Sequence, residues 1–296
     1  MSIFRRVILG STLVAGALTI QLSAVAQKAE APSADALRKI AGQYVESYGR
    51  RVSGVSLDEL FMLIETSGGQ TRVPLRIASD VILVALDKQI VGLRDPYAID
   101  TRKLREHEPR IVQLLKEPTQ ANVNLAQQQI RANAIQLQHN VVIWYSDPML
   151  AMQFMAAVNQ PNLTYKVDGD KKMNGVQVYG VSFKEGKDGP RILNTIPGNA
   201  QSSGRFWIDA ATGAIHMTEL WVQSDTDIVR VKVTFAPDAK LGLVLPRSAA
   251  ASFEWREFGN RNTNPVGTAP IKLSFEANAE YKNPQYTPID LTRGGM

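Results

Sequence analysis

The chain has 296 residues, 44% hydrophobic and 21% charged, a balance that excludes a disordered chain and provides for a sizeable core. Its formal charge of +5 is spread thinly along the sequence, without the concentrated basic face that nucleic-acid binding requires. Cysteine is absent, so there is no disulfide framework and no cysteine to carry a lipid, and stability must come from packing.

Residues 1–26 read as a signal peptide. Arg5 and Arg6 form the charged start, 7–22 is mostly apolar, and Ala24, Val25 and Ala26 make a small-x-small cleavage site. Cleavage near Gln27 predicts a periplasmic or secreted protein with no stable transmembrane anchor, while an uncleaved anchor is the alternative this length permits. The surroundings of the arginine pair match a twin-arginine signal poorly, which favours the general secretory route. Removing Arg5 and Arg6 takes the 33 Lys+Arg to 31 against 28 Asp+Glu. Residues 27–296 carry no evident linker and read as one domain.

Ser33 and Asp35 open a helix whose apolar residues Leu37, Ile40, Ala41, Tyr44, Val45 and Tyr48 form one stripe ending near Arg51. Residues 52–66 and 71–86 flank Ser67-Gly-Gly-Gln70 as a hairpin, although 57–63 also fits the end of a helix; a further strand covers 90–99 and a turn 100–103. The middle is helical, at about 109–159. It contains 109–116, a Gln- and Asn-rich helix from Pro118, and a helix over 147–159 with Asp147 as N-cap and Pro148 at the first position. Apolar residues run nearly all round that last helix, which calls for burial on both sides.

From Asn162 onward the pattern is strand. Leu163, Tyr165 and Val167 alternate, and a phase slip at Gly180 between Val178 and Val181 predicts a β-bulge. Residues 184–203 form an excursion around a short strand at 192–196, with 199–203 as its flexible loop. Strands then follow at 206–209, 214–223, 228–235 and 243–255. A last strand alternates Ile271, Leu273, Phe275, Ala277, Ala279 and Tyr281 with polar residues. Val229, Val231, Val233 and Phe235 should share a face with Ile271, Leu273 and Phe275. The fold class expected is α+β, a curved antiparallel sheet in the form of an incomplete β-barrel covered by helices, with 147–159 over the concave side.

The run Gly204-Arg-Phe-Trp-Ile-Asp209 through Thr212-Gly213 to Thr218-Glu-Leu220, with the amphipathic first helix and mid-chain helices, resembles the periplasmic lipoprotein-carrier (LolA-like) superfamily. More narrowly, these residues with Val231 to Phe235, Leu241-Gly-Leu243 and Ala277 to Tyr281 resemble a family of uncharacterised exported proteins common in acidobacteria. The likeness covers most of residues 34–283. It implies a half-barrel closed by helices, and carriers of that fold bind acyl chains. No ligand residue transfers from the family.

Catalytic constellations are missing from the sequence. His107, His139 and His216 lack a metal-ligand spacing, no serine-nucleophile or phosphate-loop motif is present, and the pairs Glu106/Glu108 and Asp225/Asp227 fit solvated turns. The expectation is therefore a non-enzymatic protein with no metal and no cofactor. Its ligand is a hydrophobic small molecule or acyl chain, contacted by Met149, Met152, Phe154, Met155, Trp221, Val231, Val233, Leu273 and Phe275, since flexible methionines suit a ligand of variable shape. The alternative is an envelope sensor or interaction module of the same fold, with no small ligand, its concavity filled by its own side chains and its partner another envelope protein.

Overall fold

The computed structural model describes residues 31–86, 89–108, 110–116, 121–122, 124–126, 128–129, 146–187, 191–193, 200–225, 227–258 and 271–289. The expected signal segment, most of the Gln- and Asn-rich helix and the loop 259–270 lie outside them. Among the described residues no helix is long and apolar enough to cross a membrane.

Ser33 is extended, and its hydroxyl accepts from the Ala36 amide at 3.2 Å. Asp35 in the first turn and Arg50 and Arg51 in the last complement the dipole of α1 (Ala34–Val52). The expected stripe buries Leu37, Ala41, Val45, Tyr48 and Val52. Gly54, at φ 92°, then turns the chain into the sheet.

The strands β1 (Val55–Ser67), β2 (Gln70–Thr71), β3 (Leu75–Leu86), β4 (Gln89–Ile99) and β5 (Arg102–Lys103) come first, followed by α2 (Arg110–Leu115). A 3-10 segment, Leu150–Met155, and a 3-10 turn, Gln160–Asn162, precede β6 (Leu163–Met173), β7 (Val176–Glu185), β8 (Gln201–Asp209), β9 (Ile215–Gln223), β10 (Asp227–Asp238), β11 (Leu243–Phe258) and β12 (Ile271–Tyr286). These build one antiparallel sheet of twelve strands in the order β5-β4-β3-β1-β12-β11-β10-β9-β8-β7-β6, with β2 on β1. The sheet is open, and the fold is α+β. Among the described strands, the early and late ones form two meanders joined where β12 lies between β1 and β11.

α1 touches β3 near one end of the sheet and β6 and β7 at the other, so the helix bridges the two ends that do not pair. Tyr48 reaches from it to donate to the Val244 carbonyl at 2.7 Å. The face toward α1, here the inner face, carries the main core. Val229, Val231, Val233 and Phe235 share it with Leu273 and Phe275, as expected, while the side chain of Ile271, the third residue named for that strand, lies outside the described ones. Where β11 and β12 pair, the inner face thins to alanine, with Ala249 opposite Ala279 and Ala251 opposite Ala277. On the outer face, Ile82 and Val84 of β3 pack with Ile111, Val112 and Leu115 of α2 and with Ala126. That part of the helical middle therefore covers the back of the sheet.

Three local expectations are corrected. The bulge near Gly180 is carried by β6, where Asp168 and Gly169 stand against the single residue Gly180; the glycine marks the partner of the bulge. Gln201, Ser202 and Ser203 belong to β8 and not to a loop, because they pair with Gln223, Val222 and Trp221 of β9, and the Ser202 amide is held by Glu185 Oε2 at 2.6 Å. Ile192 and Leu193 are not in a strand, and 194–196 lie outside the described residues. The stretch 57–63, left open between helix and strand, is strand.

The hairpin tip between β8 and β9 packs on α1. Gly213 there has φ 75°, and a Cβ would meet the Ile40 carbonyl oxygen at 2.5 Å. Gly213→Ala should therefore lose about 1–3 kcal/mol, read as a lower urea midpoint with unchanged slope.

Candidate functional site

The stretch after Ser146 begins with Asp147 and Pro148, as a helix start would. It winds more tightly than expected. Leu150 donates to the Asp147 carbonyl, Met152 to Met149 and Ala156 to Gln153, a run of three-residue steps in place of the α-helix expected over 147–159. A 3-10 segment rises about 2.0 Å per residue against 1.5 in an α-helix, so the same residues reach further between fixed anchors.

Those anchors are polar. Asp147 Oδ1 accepts from the Met149 amide at 2.8 Å and from the Gly92 amide of β4 at 3.0 Å. A Cβ on Gly92 would come within 2.8 Å of Asp147 Oδ1, so only glycine admits the carboxylate there. At the other end Tyr165 donates to the Phe154 carbonyl at 2.7 Å. Gln160 donates through Nε2 to the Met155 carbonyl at 2.8 Å and accepts at Oε1 from Arg38 Nη1 at 2.8 Å. Arg94 of β4 ties in Ser146 through Nη1 at 3.1 Å to its hydroxyl.

Arg94 is itself paired inside the fold. Its Nη2 lies 2.6 Å from Glu59 Oε1, and its Nε binds Glu59 Oε2. Both residues are buried. Burial draws the guanidinium pKa down, but the charge and hydrogen bond of Glu59 outweigh it and the net shift is upward. Removing either partner would leave an uncompensated charge in the core.

Between the anchors the segment is a plug. Met149, Phe154 and Met155 are 0% exposed and Met152 2%. Phe154 stacks on Phe183 at 4.8 Å and Phe183 on Phe206 at 5.1 Å. Gly204 makes room for this stack, since its Cβ would fall 2.6 Å from the Phe183 ring. The plug touches β4 and β9 and belongs to the same core as Val231, Val233, Leu273 and Phe275. Eight of the nine residues proposed from sequence as ligand contacts thus lie together in one buried cluster.

Trp221 is the exception. It does not share the phase of Ile215, because His216 is an extra residue where β9 pairs with β8, and the register moves from Trp207↔Met217 to Ile208↔Ile215. Leu220 and Val222 face inward, while Trp221 lines a groove on the outer face with Glu219, Arg230, Lys232, Ser252 and Glu276. Of the histidines, His216 is buried against Asn174 at 2.9 Å with its pKa lowered by burial, His107 lies on the outer face, and His139 is outside the described residues. Sequence reasoning missed Glu59 and Arg94. The available signal was their position: Glu59 falls in the apolar phase of Leu57 and Phe61.

No family profile and no curated protein matches the sequence. Similar solved structures include a domain described as a putative outer membrane lipoprotein-sorting protein from Vibrio parahaemolyticus, with 9% identity, 86% of this chain and 94% of that chain covered, and a TM-score of 0.38. A DUF1329 family protein from Desulfovibrio piger aligns at 10% identity over 86% and 94%, with a TM-score of 0.35. A LolA superfamily protein from Nitrosomonas europaea aligns at 9% over 88% and 96%, at 0.29.

Burial pushes the Asp147 carboxyl from its ordinary 3.8 up to about 6, against the Met149 and Gly92 amides and the Arg94 charge. Between those values the folded protein keeps a proton that the unfolded chain has lost. This contribution to stability is present below pH 3.8 and is lost as pH rises through about 6. Asp147 retains some solvent contact, so about 1–2 kcal/mol is expected. Urea unfolding of wild type and Asp147→Asn from pH 4 to 7 should show the wild type losing that much relative to the variant by pH 7, with the difference flat thereafter.

Proposed function

We propose that this is an exported, non-enzymatic binding protein whose inner sheet face takes a hydrophobic chain in place of the Met149–Met155 plug. The observation that carries the reading is the way the plug is held. It forms no strand pairing, and its backbone is fastened near its ends by Asp147, Tyr165 and Gln160. The residues between are mostly apolar, and Met149, Met152, Phe154 and Met155 share one buried core with Val231, Val233, Leu273 and Phe275. The signal-like residues 1–26 support a periplasmic or secreted location.

The magnitudes make the exchange feasible. A sixteen-carbon chain would gain about 13 kcal/mol gross at ~0.8 per CH₂, before association costs. Withdrawing Met149, Leu150, Met152, Phe154 and Met155 would cost about 7–15 kcal/mol at ~1.5–3 per large side chain. The two nearly balance, so the polar anchors set the equilibrium. A second reading, an interaction module with a permanently filled face, is favoured by the complete burial of Met149, Phe154 and Met155.

Tyr165→Phe separates the two. Losing one anchor of about 1 kcal/mol raises the population with the plug withdrawn about fivefold, and a ligand that requires this state gains the same factor. After stripping of any native lipid, a fluorescent fatty-acid probe should bind the variant about fivefold more tightly than the wild type. Failure of both proteins to bind the probe, with Phe154→Ala costing about 3–5 kcal/mol of stability, would support the filled module instead.

A further inference from the structure

On the outer face, away from the plug, Asp58 of β1 and Asp80 of β3 are direct partners in the strand register, a position where like charges repel. His107, from the segment joining β5 to α2, brings Nε2 between them, 2.9 Å from Asp80 Oδ1 and 3.6 Å from Asp58 Oδ1. Its ring is steadied by stacking on Tyr97 at 4.2 Å. The second oxygen of each carboxylate is engaged from outside the trio. Arg105 Nη2 donates to Asp80 Oδ2 at 2.8 Å, and Asn283 Nδ2 to Asp58 Oδ2 at 2.7 Å. One oxygen from each is left turned toward the imidazole.

The nearby fixed cations do not fill that space. Arg110 forms a two-pronged pair with Asp95 at 2.9 and 2.8 Å, and Arg105 is shared between Asp80 and Asp95. Lys282, the β12 partner of Asp58, pairs with Glu280 at 2.7 Å. With His107 neutral, Asp58, Asp80 and Asp95 outweigh Arg105 and Arg110 by one negative charge.

We propose that Asp58, Asp80 and His107 form a binding site for a divalent transition-metal ion of the zinc class. A tetrahedral ion with bonds of about 2.0–2.1 Å holds its donors about 3.3 Å apart. The observed 2.9 and 3.6 Å bracket that spacing, and all three donor atoms lie within 4.8 Å of one another. One imidazole nitrogen with two carboxylate oxygens suits a borderline ion, where calcium would call for six to eight oxygens. Asp80 is buried at 6% and the His107 side chain is 49% exposed, so the protein closes one side and water can complete the coordination on the other. Arg105 and Asn283 act as the outer partners that orient ligating carboxylates. The ion would fasten the start of α2 to β1 and β3, and so stabilise the folded protein.

The test is a zinc titration of the purified protein in metal-free buffer near neutral pH, against a chromophoric chelator, with cobalt absorption reporting the coordination. One equivalent should bind, and zinc should raise the melting temperature. His107→Ala and Asp58→Asn, both at solvent-accessible positions and checked for folding by circular dichroism, should each weaken binding by at least about tenfold, the loss expected even for an outer partner. His139→Ala should leave it unchanged. Zinc binding that survives His107→Ala overturns the proposal. So does a protein whose melting temperature falls with rising pH but ignores zinc, the behaviour of a protonated His107 bridging the two carboxylates without metal.

Discussion

A sheet that carries its main core on one face and has two ends that do not pair needs covering over that face. Here α1 does this by touching β3 near one end and β6 and β7 at the other, with Tyr48 reaching across to β11. Once that span is fixed, the space left on the inner face is fixed as well. The plug fills it, and the alanines of β11 and β12 keep that part of the face shallow. Glycines matter where elements approach this span most closely: Gly213 under α1 and Gly92 under Asp147.

Polar groups were buried in the service of position. Glu59 and Arg94 pair at 2.6 Å in the core, and Arg94 and Asp147 together hold the start of the plug on β4. A buried ion pair adds little net stability compared with apolar residues of the same volume. Its value here is geometric: an apolar segment alone could settle on an apolar face in several registers, whereas these hydrogen bonds admit one.

Much of this architecture could be read in the sequence because it rests on local periodicity. The alternation in β10 and β12, the stripe of α1 and the hairpin at Gly213 each follow from residues close together in the chain. The errors arose where one residue changed the phase without a local mark. His216 is an extra residue in β9 with no glycine beside it, so simple alternation from Ile215 places Trp221 on the wrong face. Gly180 did mark a bulge, but the extra residue was on the neighbouring strand. The plug had the composition of a buried α-helix, and its 3-10 winding is set by distant anchors such as Gly92 and Tyr165. The cluster of Asp58, Asp80 and His107 was hidden for the same reason, since each residue alone is an ordinary polar position.

The place of β12 governs how the chain must fold. The strands β1 to β5 and β6 to β11 can each form a meander from neighbours in sequence, but the edges of β1 and β11 wait for a strand made last. Until Ile271–Tyr286 arrives, two half-sheets expose apolar faces and unpaired backbone, and the closing contact joins residues more than two hundred positions apart. Such topologies fold slowly and are vulnerable to aggregation on the way. For a chain emerging from its N-terminus, the sheet stays incomplete until β12 has emerged, and loss of that strand would remove the seam between the halves.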